Sequence, residues 1–192
     1  MPEIDIIKRC KRGDRDAFNE LVTEYQSRVV NIAYGMLSDT DDALDAAQEV
    51  FIRVYRGIGE FHEKSSFTTW LYRITSNVCA DALRKRQKSG RVISISLNSD
   101  DNGSEAAANI RDTAPTPEER VEITEQHKAV REAMTEIKDE YREVLTLFDV
   151  QGLSYKTISE ILKVPEGTVK SRLNRARISL KKILSEKLEL FE

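Results

Sequence analysis

The sequence predicts an all-α protein of two small helical domains joined by a flexible linker, with a helix-turn-helix in the C-terminal domain. Apolar residues recur at intervals of three and four over most of the chain, which is the helical period. Only 8 glycines and 4 prolines interrupt 192 residues. One polar stretch lacks the period altogether, and it divides the chain into two segments, each of the size of a small domain.

Composition excludes several classes of protein. A formal net charge of −3 argues against a uniformly basic nucleic-acid coat, so any nucleic-acid surface is a local patch. Cys10 and Cys79 lie far apart without neighbouring histidines, which predicts reduced thiols in a cytoplasmic protein. The histidines are isolated and no phosphate-binding loop is present, so we expect no enzyme activity and no metal or cofactor site. No apolar run approaches the ~18 residues of a membrane span, so we expect no membrane insertion.

The N-terminal domain is predicted to cover residues 1–90. Helical periodicity begins near Asp14, and the polar run 38–42 breaks it and supplies N-caps for a helix from Asp42 to Gly57. A polar loop, residues 61–66, precedes a further helix from Phe67 to Arg86, which ends in a basic run. On that helix the residues at the apolar spacing face inward, and Arg73, Asn77 and Arg84 are predicted to face outward.

Residues 91–120 are predicted to be the linker. Their composition is rich in serine, asparagine, aspartate and alanine, and two prolines stand near the end. Acids outnumber basic residues in this stretch, so we expect it to stay solvated and flexible.

The C-terminal domain, residues 121–192, begins with two amphipathic helices and continues as a helix-turn-helix. Ser154 is predicted to cap a helix from Tyr155 to Leu162, and Thr168 to cap a longer helix that runs to about Leu184. Lys163 stands in the turn, at a position where the left-handed backbone conformation usually requires glycine. Either Lys163 adopts that conformation at a cost of about 1 kcal/mol, or the turn is built differently.

The longer of these two helices carries the positive charge of an otherwise acidic chain. Opposite its apolar stripe lie short polar and cationic side chains, namely Lys170, Ser171, Asn174, Arg175 and Arg177. Such a helix can enter the major groove, where arginine and lysine match guanine and asparagine matches adenine. A charged helix face that is merely solvated is the alternative, and the preceding short helix and tight turn favour DNA contact.

The motifs in both domains resemble those of bacterial sigma factors of the extracytoplasmic-function group. The N-terminal motifs resemble sigma region 2: DDALDAAQEVF at 41–51, FTTWLYRI at 67–74, Asn77 and DALR at 81–84. The C-terminal motifs resemble region 4: YREVL at 141–145, GLSY at 152–155, and GTVKSRL at 167–173 followed by Arg175-Ala176-Arg177. Together they cover nearly the whole chain outside the linker.

The resemblance implies a transcription initiation factor that binds core RNA polymerase, recognises the −35 and −10 promoter elements and promotes promoter melting. It implies duplex −35 contacts by Tyr155, Lys156, Thr168, Lys170, Ser171, Arg172, Asn174, Arg175 and Arg177. It implies contacts with the melted −10 strand by Phe61, His62, Lys64, Ser65, Ser66, Trp70, Arg73, Asn77, Arg84, Lys85 and Arg86. It also implies that Asp42, Asp45, Gln48 and Glu49 bind the polymerase and that an anti-sigma factor is a further partner.

Two other functions compete with this interpretation. A helix-turn-helix regulator with a ligand-sensing N-terminal domain would bind duplex operators without polymerase, usually as a dimer. A helical adaptor without any DNA role would leave the cationic helix unexplained. Trp70 also keeps two roles open, as core filling beside the apolar stripe or as support for the melted strand.

Overall fold

The computed structural model describes residues 3–62, 65–88 and 128–189, and within these ranges it contains helices and no strands. The predicted all-α fold with two helical domains is confirmed, whereas the linker prediction for residues 91–120 lies outside the described residues. The elements in order are α1 Glu3–Lys11, α2 Arg15–Leu37, α3 Thr40–Gly57, a 3-10 turn Ile58–Glu60, α4 Phe67–Lys88, α5 at residues 128–136, α6 Asp139–Leu145, a π-helical turn Thr146–Val150, α7 Tyr155–Leu162 and α8 Glu166–Glu189.

The N-terminal domain is organised around α2, which packs against α1, α3 and α4. The Asp14 carboxylate caps α2 by accepting from the Ala17 amide at 3.0 Å. The Asp39 carboxylate caps α3 by accepting from the Asp42 amide at 2.9 Å. Because Asp39 supplies this cap, α3 begins two residues before the predicted Asp42.

Helix α1 was not predicted. Its Ile7 and Cys10 side chains are buried, but a stretch of nine residues is too short for a periodicity argument. Arg9 fastens its end by hydrogen bonding to Asp14 at 2.8 Å and to Glu20 at 3.1 Å.

In the C-terminal domain, α8 packs on α6. Leu173 and Ala176 are buried against Tyr141, Val144 and Leu145, as the apolar spacing predicted.

The turn of the helix-turn-helix is mostly as predicted. Ser154 caps α7 by accepting from the Thr157 amide at 3.1 Å, and Lys163 adopts the left-handed conformation with φ 55° and ψ 44°. The predicted Thr168 cap is wrong, because α8 begins at Glu166. The Pro165 carbonyl accepts from the Thr168 and Val169 amides at 2.9 and 3.2 Å, which closes the first turn of α8 earlier.

The two domains are packed against each other. Helix α2 contacts α6 and the π-helical turn, and α4 contacts α7. Leu147, Ile158 and Ile161 belong to the same apolar cluster as the core of the N-terminal domain. Among the described helices, none has both the length and the apolar character that a bilayer span requires.

Candidate nucleic-acid interface

The outer face of α8 is the first candidate surface. Val169, Leu173 and Ala176 are buried, and they recur at the helical spacing of three and four. On the opposite side of the helix, the structure leaves all five of the predicted residues exposed: Lys170, Ser171, Asn174, Arg175 and Arg177. Lys156 on α7 is exposed too, whereas Tyr155 and Thr168 are half-buried.

The cations of α8 differ in what they already contact. Arg177 pairs with Asp149 at 2.6 Å, and its guanidinium lies 5.4 Å from the centroid of the Phe148 ring. The half-buried Arg172 pairs with Glu140 at 3.0 Å. To bind a phosphate, either arginine has to exchange a carboxylate for it, which lowers the net gain.

Asn174 and Arg175 are different. Within the described residues, their side chains make no hydrogen bond or ion pair. Lys170 lies over the ring of Tyr155 at 5.4 Å, and that ring stacks on Phe148 at 4.9 Å, so an aromatic pair supports the start of α8. The arrangement leaves an amide and a guanidinium free on a rigid helix, which is the chemistry that reads base edges.

The second candidate surface surrounds the loop before α4, and it rests on an aromatic cluster. Phe61 is 5% exposed, and its ring centroid lies 5.7 Å from that of Phe67 and 5.2 Å from that of Trp70. Lys11 donates to the Phe61 carbonyl at 2.6 Å. Phe61 is therefore part of the core here, and half-buried Trp70 packs over Gly57, whose added Cβ would lie 3.5 Å from the indole.

The polar residues of this loop have distinct environments. The Ser66 hydroxyl accepts from the Thr69 amide at 3.1 Å and so caps the first turn of α4. His62 is exposed, Ser65 is half-buried, and Lys64 lies outside the described residues. Of the four polar residues His62, Lys64, Ser65 and Ser66, only His62 and Ser65 are described and do not cap a helix.

Helix α4 separates its predicted DNA contacts into two groups. Asn77, Arg84 and Lys85 are exposed and Arg73 is half-buried, and Arg84 pairs with Asp81 at 3.2 Å. Arg86 turns inward, donates to the Leu37 carbonyl at 3.0 Å and pairs with Asp42. Arg86, a predicted DNA contact, thus pairs with Asp42, a predicted polymerase contact, and this ion pair joins the end of α4 to the start of α3.

The third candidate surface is the outer face of α3. Asp45 and Gln48 are exposed and make no side-chain hydrogen bond or ion pair within the described residues, whereas Glu49 pairs with Arg53 at 2.7 Å. Beside them lie two exposed apolar side chains that the sequence analysis missed, Ile52 (38% exposed) and Tyr55 (51%). Their spacing of four and seven residues from Gln48 was the available signal.

Comparison with known proteins matches both domains. The family model of Sigma-70 region 2 matches residues 21–89, and that of Sigma-70 region 4 matches residues 127–180. The ECF RNA polymerase sigma factor SigW of Bacillus subtilis is 36% identical over 183 residues, with 94% of this chain and 95% of SigW covered. The RNA polymerase sigma-H factor of Pseudomonas aeruginosa is 34% identical over 183 residues, covering 93% and 92% of the two chains.

Solved structures share the fold. CnrH in complex with the cytosolic domain of CnrY superposes with a TM-score of 0.65 at 20% identity, covering 94% of this chain and 96% of CnrH. The sigma factor RpoE of Bartonella quintana, in complex with the anti-sigma factor NepR, superposes with a TM-score of 0.63 at 22% identity, covering 88% and 96%.

Proposed function

This chain belongs to the extracytoplasmic-function group of sigma-70 transcription initiation factors, and on that premise we propose that it recruits core RNA polymerase to promoters whose −35 and −10 elements it reads with separate domains. The observation that carries this proposal is the free Asn174 and Arg175 pair on the exposed face of α8. A sigma factor acts where the polymerase acts, so the proposal includes a cytoplasmic location.

For the −35 element, α8 lies in the major groove. Lys170, Ser171, Asn174 and Arg175 read base edges, because they occupy the exposed N-terminal half of the helix. Arg172 and Arg177 hold phosphates, since each already has a carboxylate partner that a phosphate can replace. Tyr155, Lys156 and Thr168 flank the start of α8 and complete the contact with the backbone.

For the −10 element, the loop before α4 and the exposed side of α4 receive the melted strand. His62, Ser65, Asn77 and Arg73 offer hydrogen bonds to unpaired bases, while Arg84 and Lys85 offer charges to the adjacent phosphates. Phe61, Ser66 and Arg86 support this surface from within, as their burial, capping and ion pair indicate. The half-exposed Trp70 ring forms the apolar wall between the two groups.

For the polymerase, α3 presents its outer face. Asp45 and Gln48 make the polar contacts, and Glu49 joins them when it exchanges Arg53 for a partner cation. Asp42 aligns the start of α3 through Arg86. The exposed Ile52 and Tyr55 add apolar area next to these groups, which a purely electrostatic contact would lack.

Regulation by an anti-sigma factor is part of the proposal. The fold neighbour RpoE of Bartonella quintana was solved with the anti-sigma factor NepR bound. A related partner for this chain would control how much of it reaches the polymerase.

Run-off transcription tests the proposal. Purified chain and bacterial core RNA polymerase are incubated with a pool of linear templates randomised at the −35 and −10 positions, and the transcribed templates are sequenced. We expect enrichment of both elements at one spacing. Binding to a palindromic duplex without polymerase would support the regulator alternative, and no selection at either element would support the adaptor.

Two variants connect the assay to residues. Gln48→Ala is expected to weaken core polymerase binding while leaving the selected promoter sequence unchanged. Arg175→Ala is expected to leave polymerase binding unchanged while relaxing the selection at one −35 position. Equal effects of both variants on polymerase affinity would contradict the separation of the two surfaces.

A further inference from the structure

The rings of Phe148 and Tyr155 form a stacked pair, here called the ring pair, that packs against α8. Their centroids are 4.9 Å apart and their planes differ by 13°. Phe148 belongs to the π-helical turn, and Tyr155 is the first residue of α7. Both residues are half-buried and pack against the apolar cluster that contains Leu173 of α8. The core therefore fixes one side of the ring pair, and the other side is accessible.

One cation of α8 lies over each ring. The Lys170 Nζ atom is 5.4 Å from the centroid of Tyr155, and the Arg177 guanidinium carbon is 5.4 Å from that of Phe148. Both distances lie within the roughly 6 Å at which an aromatic face attracts a cation. Lys170 and Arg177 are seven residues apart, and this is about two turns of a helix. The ring pair thus holds two cations on the same face of α8.

Arg177 is held on two sides. The Phe148 ring faces the guanidinium group, and the carboxylate of the next residue, Asp149, accepts from Arg177 Nη2 at 2.6 Å. Both groups come from one short segment, the π-helical turn. When a phosphate replaces Asp149, the ring still holds the guanidinium. Phe148 can therefore keep Arg177 in place both in the free chain and on DNA.

The residues proposed to read bases lie between these two cations. Asn174 and Arg175 stand between them on the exposed side of α8. Lysine and arginine side chains have many rotamers, and ordering them on binding costs affinity. A lysine is also a point charge on a flexible stem, so its direction has to come from its surroundings. A cation that is held before binding avoids this cost and acts at one place along the DNA.

We propose that Phe148, which is not among the predicted DNA contacts, is a positioning residue for −35 recognition. Together with the Tyr155 ring, it holds Arg177 and Lys170 in the orientation that the −35 element requires. Phe148 acts through these cations and does not contact DNA itself. This role rests on the proposed function, since α8 is the helix that is proposed to read the −35 element.

Substitutions of Phe148 test this role. Phe148→Leu keeps an apolar side chain on the core and removes the ring, whereas Phe148→Tyr keeps the ring. We expect Phe148→Leu to weaken binding of the assembled polymerase to a selected promoter by about two- to fivefold, which corresponds to one exposed cation–π contact. Phe148→Tyr should bind that promoter as the wild type does.

A double-mutant cycle separates positioning from general packing. If Phe148 acts through Arg177, Phe148→Leu should cause a much smaller loss of promoter affinity once Arg177→Ala is present. Lys181→Ala is the matched control, because Lys181 is an exposed cation further along α8, whereas the described cations over the two rings are Lys170 and Arg177. Phe148→Leu and Lys181→Ala should therefore lower the affinity independently, with fold-changes that multiply.

Lys170 and the Tyr155 ring allow a parallel test. Tyr155→Leu removes the ring, and Tyr155→Phe keeps the ring without the hydroxyl group. In promoter selection with core polymerase, we expect Tyr155→Leu to relax the same −35 position that Lys170→Ala relaxes. Tyr155→Phe should keep that preference, because a phenyl ring still holds the ammonium group. An unchanged selection in Tyr155→Leu would contradict the role of the ring pair.

Nuclear magnetic resonance of the free chain tests the ring contacts without polymerase or DNA. Protons that lie over an aromatic face resonate at higher field. The methylene groups next to the Lys170 ammonium and the Arg177 guanidinium should therefore be shifted upfield in the wild type. Phe148→Leu should return the Arg177 methylene signals to their ordinary positions, and Phe148→Tyr should not.

The outcomes distinguish the role of Phe148 from the proposed function. The role is supported if ring removal loses most of its effect without Arg177 and the methylene signals shift as expected. Losses that multiply for Phe148→Leu and Arg177→Ala, or a promoter affinity unchanged by Phe148→Leu, overturn the role and leave the proposed function intact. If the wild-type chain selects no −35 element with core polymerase, the proposed function fails and the role of Phe148 fails with it. The methylene signals then still decide whether the rings hold the two cations.

Discussion

Helices α4 and α8 are the two long helices to which DNA contacts are assigned, and they are buried in different ways. α8 has one buried stripe, formed by Val169, Leu173 and Ala176, and an open opposite face. α4 is buried on its own core side and again at Ser76 and Cys79, because the C-terminal domain packs there. One helix presents an open face, whereas the other also forms the interface between the domains.

The largest effect should come from the residue that links the two domains. Arg142→Met removes the donor to four backbone carbonyls, of which those of Met36 and Ile137 accept in buried hydrogen bonds and those of Met134 and Thr135 in partly buried ones. We expect a loss of about 3 to 5 kcal/mol in the free energy of unfolding, measured by chemical denaturation. Arg175→Met, an exposed arginine on α8, should change that free energy by no more than about 0.5 kcal/mol. Similar losses for both would contradict the difference between the buried and the exposed arginine.

The next effect concerns the open face of α8. Arg175→Ala should weaken promoter binding of the assembled polymerase by about 1 to 3 kcal/mol and relax the preference at one −35 position. Lys181 is exposed further along α8, where it can contact phosphates but not the bases read by the N-terminal half of the helix. Lys181→Ala should therefore weaken binding to all sequences and reduce the salt dependence. Titrations of wild-type and mismatched promoters over a range of salt distinguish the two, and an equal loss on every promoter from both variants would count against base reading by Arg175.

A buried acid makes the second buried side of α4 sensitive to pH. Burial raises the pKa of Glu143 from 4.5 to about 7, and nearby Asp139 adds to the rise, while the Ser76 hydroxyl and Arg172 oppose it. Glu143 also faces Cys79, whose pKa is raised to about 12 and which therefore stays neutral. A carboxyl group whose pKa is raised where the two domains pack favours that packing at low pH, and this contribution is lost as the pH rises from 4.5 through 7.

The packing of the C-terminal domain on α2 and α4 should therefore weaken between pH 6 and pH 7.5, by up to about eightfold if Glu143 returns to its ordinary pKa when the domains separate. Scattering or energy transfer between labels on the two domains can measure this equilibrium. Glu143→Gln should remove the pH dependence and favour the packed arrangement of the two domains throughout this range. Exposed Glu160→Gln is the control, and a pH dependence that persists in Glu143→Gln would assign the effect to another group.

The same comparison explains what the sequence could reveal. The stripe of α8 and the Ser154 cap follow from local spacing and local hydrogen bonding, so the helix-turn-helix and its exposed cations were predicted. The burial of Ser76 and Cys79 and the close approach of Gly35 to Thr146 depend on a domain more than 50 residues away along the chain. Periodicity carries no information about such contacts. The family resemblance implied that Phe61 and Arg86 contact DNA. Instead, the Phe61 ring packs on Phe67 and Trp70, and Arg86 turns inward to Leu37 and Asp42.

The smallest effect concerns the turn that aims α8. Lys163 has a positive φ of 55°, and a side chain there is strained, whereas glycine adopts this conformation without a Cβ penalty. Glycine also gives the unfolded chain more freedom, which offsets part of the gain. Lys163→Gly should therefore stabilise the chain by about 0.5 kcal/mol.

Ser38 is the matched control for this last effect, because it is the other described non-glycine residue with a positive φ, also 55°. It ends α2 in the N-terminal domain, away from the helix-turn-helix, so Ser38→Gly should give a similar gain in stability without changing the −35 preference. Thermal unfolding and promoter selection of both variants make the comparison. A changed −35 preference in Lys163→Gly alone would show that the strained turn also determines how α8 enters the groove. A loss of stability in both variants would mean that the freedom of the unfolded chain outweighs the relief of strain.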